Sequence, residues 1–202
     1  MQPLATRLAK LTAITTKTRR EYEQAHKPLH ASQRTSFANN LETTAQALYQ
    51  AMPKEQALLA DTGSGLGTPT IIANMLGYQA IGIEQDTKLL EYANKASKLA
   101  QQNNLLKTPP TFVQGDFLTN QPYQKAKTAF NEIDVFYNFT LQEPATKLIK
   151  QFSEQAKPGA RAIVVLAPEN YDKLLRERPN LQHLQTNSAL GYPTYHIIQK
   201  NT

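Results

Sequence analysis

The chain has 202 residues, of which 40% are hydrophobic and 19% charged, with a formal net charge of +6 and no Cys. That length suits one domain, or one domain with an appendage. The missing Cys excludes a disulfide scaffold, a Cys-ligated metal centre and a thiol nucleophile, and no apolar run approaches the roughly 20 residues that span a bilayer. Composition therefore points to a soluble protein, expected in the cytoplasm.

Residues 3–25 are expected to form a helix with Leu4, Leu8 and Leu11 on one stripe, continued weakly by Ile14 and Tyr22. Pro28 ends it. This front segment carries the charge. Arg7, Lys10, Lys17, Arg19, Arg20, Lys27 and Arg34 stand against Glu21 and Glu23, so +5 of the +6 lies before residue 41. Such asymmetry suits an acidic partner such as RNA, or a solvated helix face. Residues 1–20 loosely resemble an organellar transit peptide, but a helix packed on the body is the favoured reading. Residues 28–36 are expected as a loop, with a second helix from Ser36 to Met52.

Beyond that helix the pattern changes. Ala57-Leu58-Leu59-Ala60 is a short apolar run ending at Asp61, followed by a glycine-rich turn. A helix starts near Pro69, with Thr68 expected as its cap, and Gly77 stops it. Further strands are expected at 80–83, 111–113, 133–137 and 161–166, with helices over 87–102 and 143–156. The tail has two extended pieces, 181–187 and 193–199, with no room for a crossover helix, so they should pair antiparallel. The expected fold is α/β: a doubly wound, Rossmann-like sheet that finishes with an antiparallel element at one edge. The division expected is an N-terminal helical segment over 1–52 and a domain over 53–202.

The chemistry centres on Asp61-Thr62-Gly63-Ser64-Gly65-Leu66-Gly67. Three of the 8 glycines fall between residues 63 and 67. They let a ligand approach the backbone, and the following helix should offer it unpaired N–H groups. Glu84 ends the next strand, where an acid accepts ribose hydroxyls. A dinucleotide fingerprint would need Gly or Ala where Thr68 stands. Asp61 would repel a pyrophosphate but suits an ammonium. Ribose, adenine and ammonium together describe S-adenosylmethionine.

These segments resemble class I, seven-strand S-adenosylmethionine-dependent methyltransferases. Residues 59–67 look like the family's first motif. The resemblance implies that Asp61, Thr62, Gly63, Ser64, Gly65 and Gly67 bind the cofactor, that Glu84 takes the ribose, and that Asp116 receives the adenine amino group with Phe117 against the ring. Asp134-Val135-Phe136-Tyr137-Asn138-Phe139-Thr140 matches the fourth strand and the loop over the reacting methyl. It implies seven strands, six parallel and one antiparallel.

The acceptor is read from that loop. Methyltransferases of base amino groups often carry Pro-Pro after the Asn, and Tyr137-Asn138-Phe139-Thr140 has none. The stretch is similar to seven-strand protein lysine methyltransferases of the Dot type and archaeal kinds, so a lysine side chain of a protein is the expected acceptor. Asn138 would then orient the cofactor or the amine, and Tyr137 and Phe139 would line the slot. Tyr192 and Tyr195 are further candidates, with core packing favoured for both. Thr35, Ser36 and Phe37 are candidate lid residues. An RNA or small-molecule methyltransferase, and a non-catalytic binding module, stay open as alternatives.

Overall fold

A computed structural model describes residues 2–26, 41–139, 143–165, 168–187 and 195–201. The candidate lid Thr35–Phe37, Thr140 and Tyr192 lie outside these residues. Seven strands form one sheet: β1 (Leu58–Thr62), β2 (Gln79–Glu84), β3 (Thr111–Gln114), β4 (Val135–Asn138), β5 (Arg161–Val165), β6 (Leu181–Asn187) and β7 (Tyr195–Lys200), in the order β3-β2-β1-β4-β5-β7-β6. All neighbours are parallel except β7, which runs antiparallel to both β5 and β6. The tail is thus an antiparallel pair at one edge, in which β7 inserts beside β5 and β6 takes the outer position.

Helices cover both faces. α1 (Leu4–Ala25), α2 (Leu41–Ala51), α3 (Thr68–Leu76) and α4 (Thr87–Gln102) pack on one, and α5 (Gln121–Lys125), α6 (Glu143–Gln155) and α7 (Pro168–Glu177) on the other. Strand alternation sorts the core between them. Leu59, Val135, Tyr137 and Ile163 belong to the cluster under α1–α4. Ala60, Phe136, Ala162 and Val164 belong to the cluster under α5–α7. The sequence reading omitted α5 and α7. α5 is a single short turn of helix, and α7 follows directly on β5.

α1 is fixed by its apolar stripe. Leu8, Leu11 and Tyr22 are buried, and Leu8 and Leu11 join the same core as Leu48, Ile71 and Ile163. Full burial of a Leu contributes about 1.5–3 kcal/mol relative to exposure. Arg7 adds hydrogen bonds from its guanidinium to the carbonyls of Met75 and Leu105, 3.0 and 3.1 Å long. Thr12, Thr15 and Thr18 donate their hydroxyls to helix carbonyls four residues back, which satisfies polar groups on or beside the buried stripe.

The strand starts are tied down at the end of the sheet away from the glycine turn. Asp134, just before β4, accepts from the Leu58 amide at 2.8 Å and pairs with Lys157 at 2.8 Å and Lys54 at 3.1 Å. Burial raises its pKa, but these donors outweigh that and leave it below its usual value. Among the described residues, no helix is long and apolar enough to cross a membrane.

Candidate functional site

The ends of β3, β2, β1 and β4 bring Asp116, Glu84, Asp61 and Asn138 into a row across the sheet. Three strand spacings put its two ends about 14 Å apart, the reach of an extended nucleoside with an amino-acid tail. The chain departs from β1 to β2 on one side and returns to β4 on the other. The row therefore lies at the switch point where open α/β sheets bind ligands.

The glycine turn is held by the protein itself. The amides of Gly63 and Ser64 both donate to the Ile83 carbonyl, at 2.9 and 3.0 Å, and the Gly67 amide donates to Ser64 at 2.8 Å. The Gly65 amide donates to Glu84 Oε2 at 2.8 Å. These four amides are therefore committed within the protein; the N–H groups expected to face a ligand are those at the start of α3. Gly63, Gly65 and Gly67 all have positive φ, at 81°, 53° and 76°. Gly67 is itself the cap of α3, so Thr68 is the first helical residue and not the cap. The left-handed conformation at residue 67 turns the chain into the helix, a role open to Gly without strain.

Glu84 is anchored further by accepting from the amides of Gln85 and Asp86, at 2.8 and 3.0 Å. Asp116 Oδ1 accepts from the Leu118 amide at 2.9 Å. Both carboxylates are thus oriented by backbone donors and keep acceptor capacity. Phe117 is the residue expected against the adenine ring. Its side chain sits in the buried cluster with Val113, Tyr123 and Phe130, and its carbonyl accepts the Tyr123 hydroxyl at 2.9 Å.

Asp61 and Tyr137 face each other in register on β1 and β4. Both line a cavity of about 240 Å³, together with Gly63, Ser64, Gly65, Leu66 and Phe139. Asp61 is 1% exposed, and burial raises its pKa to about 7 even though Thr70 donates to it at 2.6 Å. Burial likewise drives the Tyr137 hydroxyl far above its ordinary pKa, so it stays neutral. It meets the Tyr195 hydroxyl at 3.2 Å, which in turn meets Thr44 Oγ1 at 3.2 Å. Tyr195 is buried in the core behind the site.

Thr62 and Asn138 are the next register pair, one residue on. Strand alternation sends them away from the Asp61 and Tyr137 side. The Asn138 amide donates to the Thr62 carbonyl and hydroxyl at 2.8 and 2.9 Å, and the Thr62 hydroxyl donates to the Tyr137 carbonyl at 3.0 Å. Asn138, expected to orient the cofactor or the amine, therefore stands apart from Tyr137 and Phe139, expected to line the slot. Tyr137 and Phe139 reach the cavity, while Asn138 ties β4 to β1.

The cavity has a wall that the sequence reading missed. Thr12, Thr15, Thr16 and Arg19 of α1 close it opposite the glycine turn. Their spacing of three, four and seven residues marks a single helix face, a signal that was present in the sequence. Tyr22 fixes that face by packing with Leu66 of the turn and Leu89 of α4.

These residues fit the cofactor that the resemblance implies. A buried carboxylate with a pKa near 7 gains from a cationic neighbour, which would favour its ionised form. Ser64 lines the same cavity, and its Oγ is buried with no hydrogen-bond partner among the described residues. An ammonium for Asp61 and a polar ligand atom for Ser64 answer both needs.

Comparison with known proteins extends this. Residues 27–193 match the family described as ribosomal RNA adenine dimethylase. No curated protein sequence matches the chain. Among solved structures, an RNA methyltransferase from Salinibacter ruber in complex with S-adenosyl-L-homocysteine is similar at 23% identity and a TM-score of 0.61, over 81% of this chain and 93% of that one. A ribosomal protein L11 methylase from Lactobacillus delbrueckii subsp. bulgaricus is similar at 18% identity and a TM-score of 0.62, over 84% and 79%. Magnesium protoporphyrin IX methyltransferase from Synechocystis PCC 6803 with bound SAM is similar at 16% identity and a TM-score of 0.62, over 92% and 91%. Their names specify RNA, a protein and a porphyrin, so this likeness reports a shared fold and not an acceptor. The family match spans most of the chain, and the sheet order, the glycine turn and the row of acids agree with it: the chain belongs to the ribosomal RNA adenine dimethylase family and is a class I S-adenosylmethionine-dependent methyltransferase.

Proposed function

We propose that this enzyme methylates the amino group of an adenine base in RNA. The family match over residues 27–193 carries the reading and favours it over the protein lysine reading. The site supports it. Phe139 follows Asn138 at the end of β4 and lines the cavity beside Tyr137 and Asp61. An aromatic face there suits a flat base, and base–aromatic stacking contributes about 1–3 kcal/mol per base. The bonds from Asn138 to Thr62 and from Thr62 to the Tyr137 carbonyl fix the end of β4 that presents this face. The basic front segment adds phosphate attraction.

Bound S-adenosylmethionine supplies an electrophilic methyl on a sulfonium. The chain's own residues hold and orient. Asp61 balances the cofactor's ammonium, Glu84 and Asp116 accept from its ribose and adenine, and Asn138 positions Tyr137 and Phe139 through β1. No metal is invoked, because the reaction relies on placement of a methyl already activated by its own charge.

Incubation with methyl-labelled cofactor, total RNA and a protein extract tests the acceptor class. Label released by nuclease and resistant to protease is the expected result. Label released by protease alone would overturn the RNA reading and favour the lysine one.

A further inference from the structure

We infer that Arg19 binds the carboxylate of the cofactor's amino-acid tail, so that α1 forms half of the cofactor site. The inference rests on the methyltransferase assignment and extends the site onto a helix that precedes the family match, which begins at residue 27.

Three observations carry it. First, the cavity between α1 and the glycine turn has one acidic and one basic lining residue among those described, Asp61 and Arg19. An α-amino acid presents an ammonium and a carboxylate on one carbon, so a cavity with one charge of each sign matches both groups. Second, the amides of Gly63, Ser64, Gly65 and Gly67 already donate within the protein. Those four are therefore not available to a carboxylate beside the turn, which a side-chain donor would serve. Arg19 and the Ser64 hydroxyl are placed to supply it. Third, α1 is seated firmly enough to hold a ligand. Tyr22, one turn beyond Arg19, packs on Leu66 of the turn and meets Tyr92 of α4 edge-on with ring centroids 5.3 Å apart.

The guanidinium is held ready by Glu23, whose Oε1 accepts from Nε at 2.8 Å. Recognition of a carboxylate uses the forked N–H edge of the same planar group. Thr12, Thr15 and Thr16 flank Arg19 on this wall with small polar side chains, leaving space for a ligand tail.

Calorimetric titration with two ligands tests the assignment. S-adenosylhomocysteine carries the amino-acid tail, whereas methylthioadenosine keeps the nucleoside and sulfur without it. Arg19→Gln should weaken the first by about tenfold or more, the scale of a lost charge-assisted pair, and leave the second within about twofold. Arg19→Lys should recover part of the loss. Arg19 is 35% exposed, so neither change threatens the core, and unchanged thermal unfolding would confirm that. Equal loss for both ligands, or no loss for either, would overturn the inference. Weaker RNA binding with unchanged S-adenosylhomocysteine binding would overturn it too, and would assign Arg19 to an acceptor phosphate. A wild-type protein that binds neither ligand would overturn the cofactor assignment itself, and the inference with it.

Discussion

Thr70 donates its hydroxyl to Asp61 Oδ2 across 2.6 Å, a bond buried between α3 and β1. The carboxylate is only 1% exposed, and hydrogen bonding from Thr70 does not offset the desolvation that lifts the Asp61 pKa to about 7. The site therefore holds a poorly solvated acid whose ionised form a cationic ligand would stabilise.

The sign of the pH dependence follows. Asp61 is half protonated near pH 7, and an ammonium binds its ionised form, so S-adenosylhomocysteine affinity should rise between about pH 6 and about pH 8. Asp61→Asn should remove that slope and weaken binding by about tenfold to a hundredfold. The folded pKa lies above the ordinary value of 3.8, so the Asp61 contribution to stability declines as pH rises through the window from 3.8 to about 7. Asp61→Asn should accordingly narrow the difference in melting temperature between mildly acidic and mildly alkaline buffer. An identical pH profile in the variant would contradict the assignment.

Gly82 and Gly67 share a neighbour. A Cβ at Gly82 would stand 2.5 Å from the Phe112 ring and 2.9 Å from Thr70 Oγ1, and one at Gly67 would stand 2.6 Å from the same ring. Gly82→Ala should destabilise the fold by about 1–3 kcal/mol, as overpacking does. It should also disturb the Thr70–Asp61 bond. Phe112→Leu in the Gly82→Ala background should restore part of the melting temperature. No recovery would show that the strain lies elsewhere.

Asn138 separates positioning from binding. Asn138→Ala removes the two bonds to Thr62 and should destabilise by about 1–3 kcal/mol. It should leave S-adenosylhomocysteine affinity within about threefold, because Asp61 and Ser64 keep their places, while methyl transfer slows by at least about tenfold through displaced Tyr137 and Phe139. Equal losses in affinity and rate would place Asn138 in direct contact with the cofactor.

α1 is held by apolar packing more than by charge. Leu11 is fully buried, and Leu11→Ala should destabilise by about 2–5 kcal/mol and weaken cofactor binding with it. The Lys95–Glu21 pair between α4 and α1 is 2.8 Å long but half exposed at the lysine, and Lys95→Ala should leave the melting temperature nearly unchanged. Chemical denaturation of the two variants compares them directly.

The sequence made the parallel sheet legible because the first three apolar runs each end in an acid or a glycine turn, and their strand ends carry Asp61, Glu84 and Asp116. It gave Asn138 an orienting role and Tyr137 and Phe139 a lining one, but not the strand geometry that separates them. Three consecutive residues read as one motif, but a strand's two-residue period sends Asn138 to the opposite side from its neighbours. Phe117 was legible as aromatic but not as core, since its place depends on Val113, Tyr123 and Phe130 from separate elements. The lysine acceptor was read from two absent prolines in one loop, whereas the family match spans the whole pattern and favours the proposed RNA acceptor. The α1 wall was hidden in plain threonines, whose spacing carries meaning once Tyr22 is seen to seat the helix on the glycine turn.

Nucleoside mass spectrometry of RNA treated with the enzyme and isotopically methyl-labelled S-adenosylmethionine tests the central claim most directly. The expected result is labelled methyl on the adenine amino nitrogen, abolished by Asp61→Asn and reduced by Asn138→Ala. Label on another base, on a ribose hydroxyl, or confined to lysine residues of protein would contradict it.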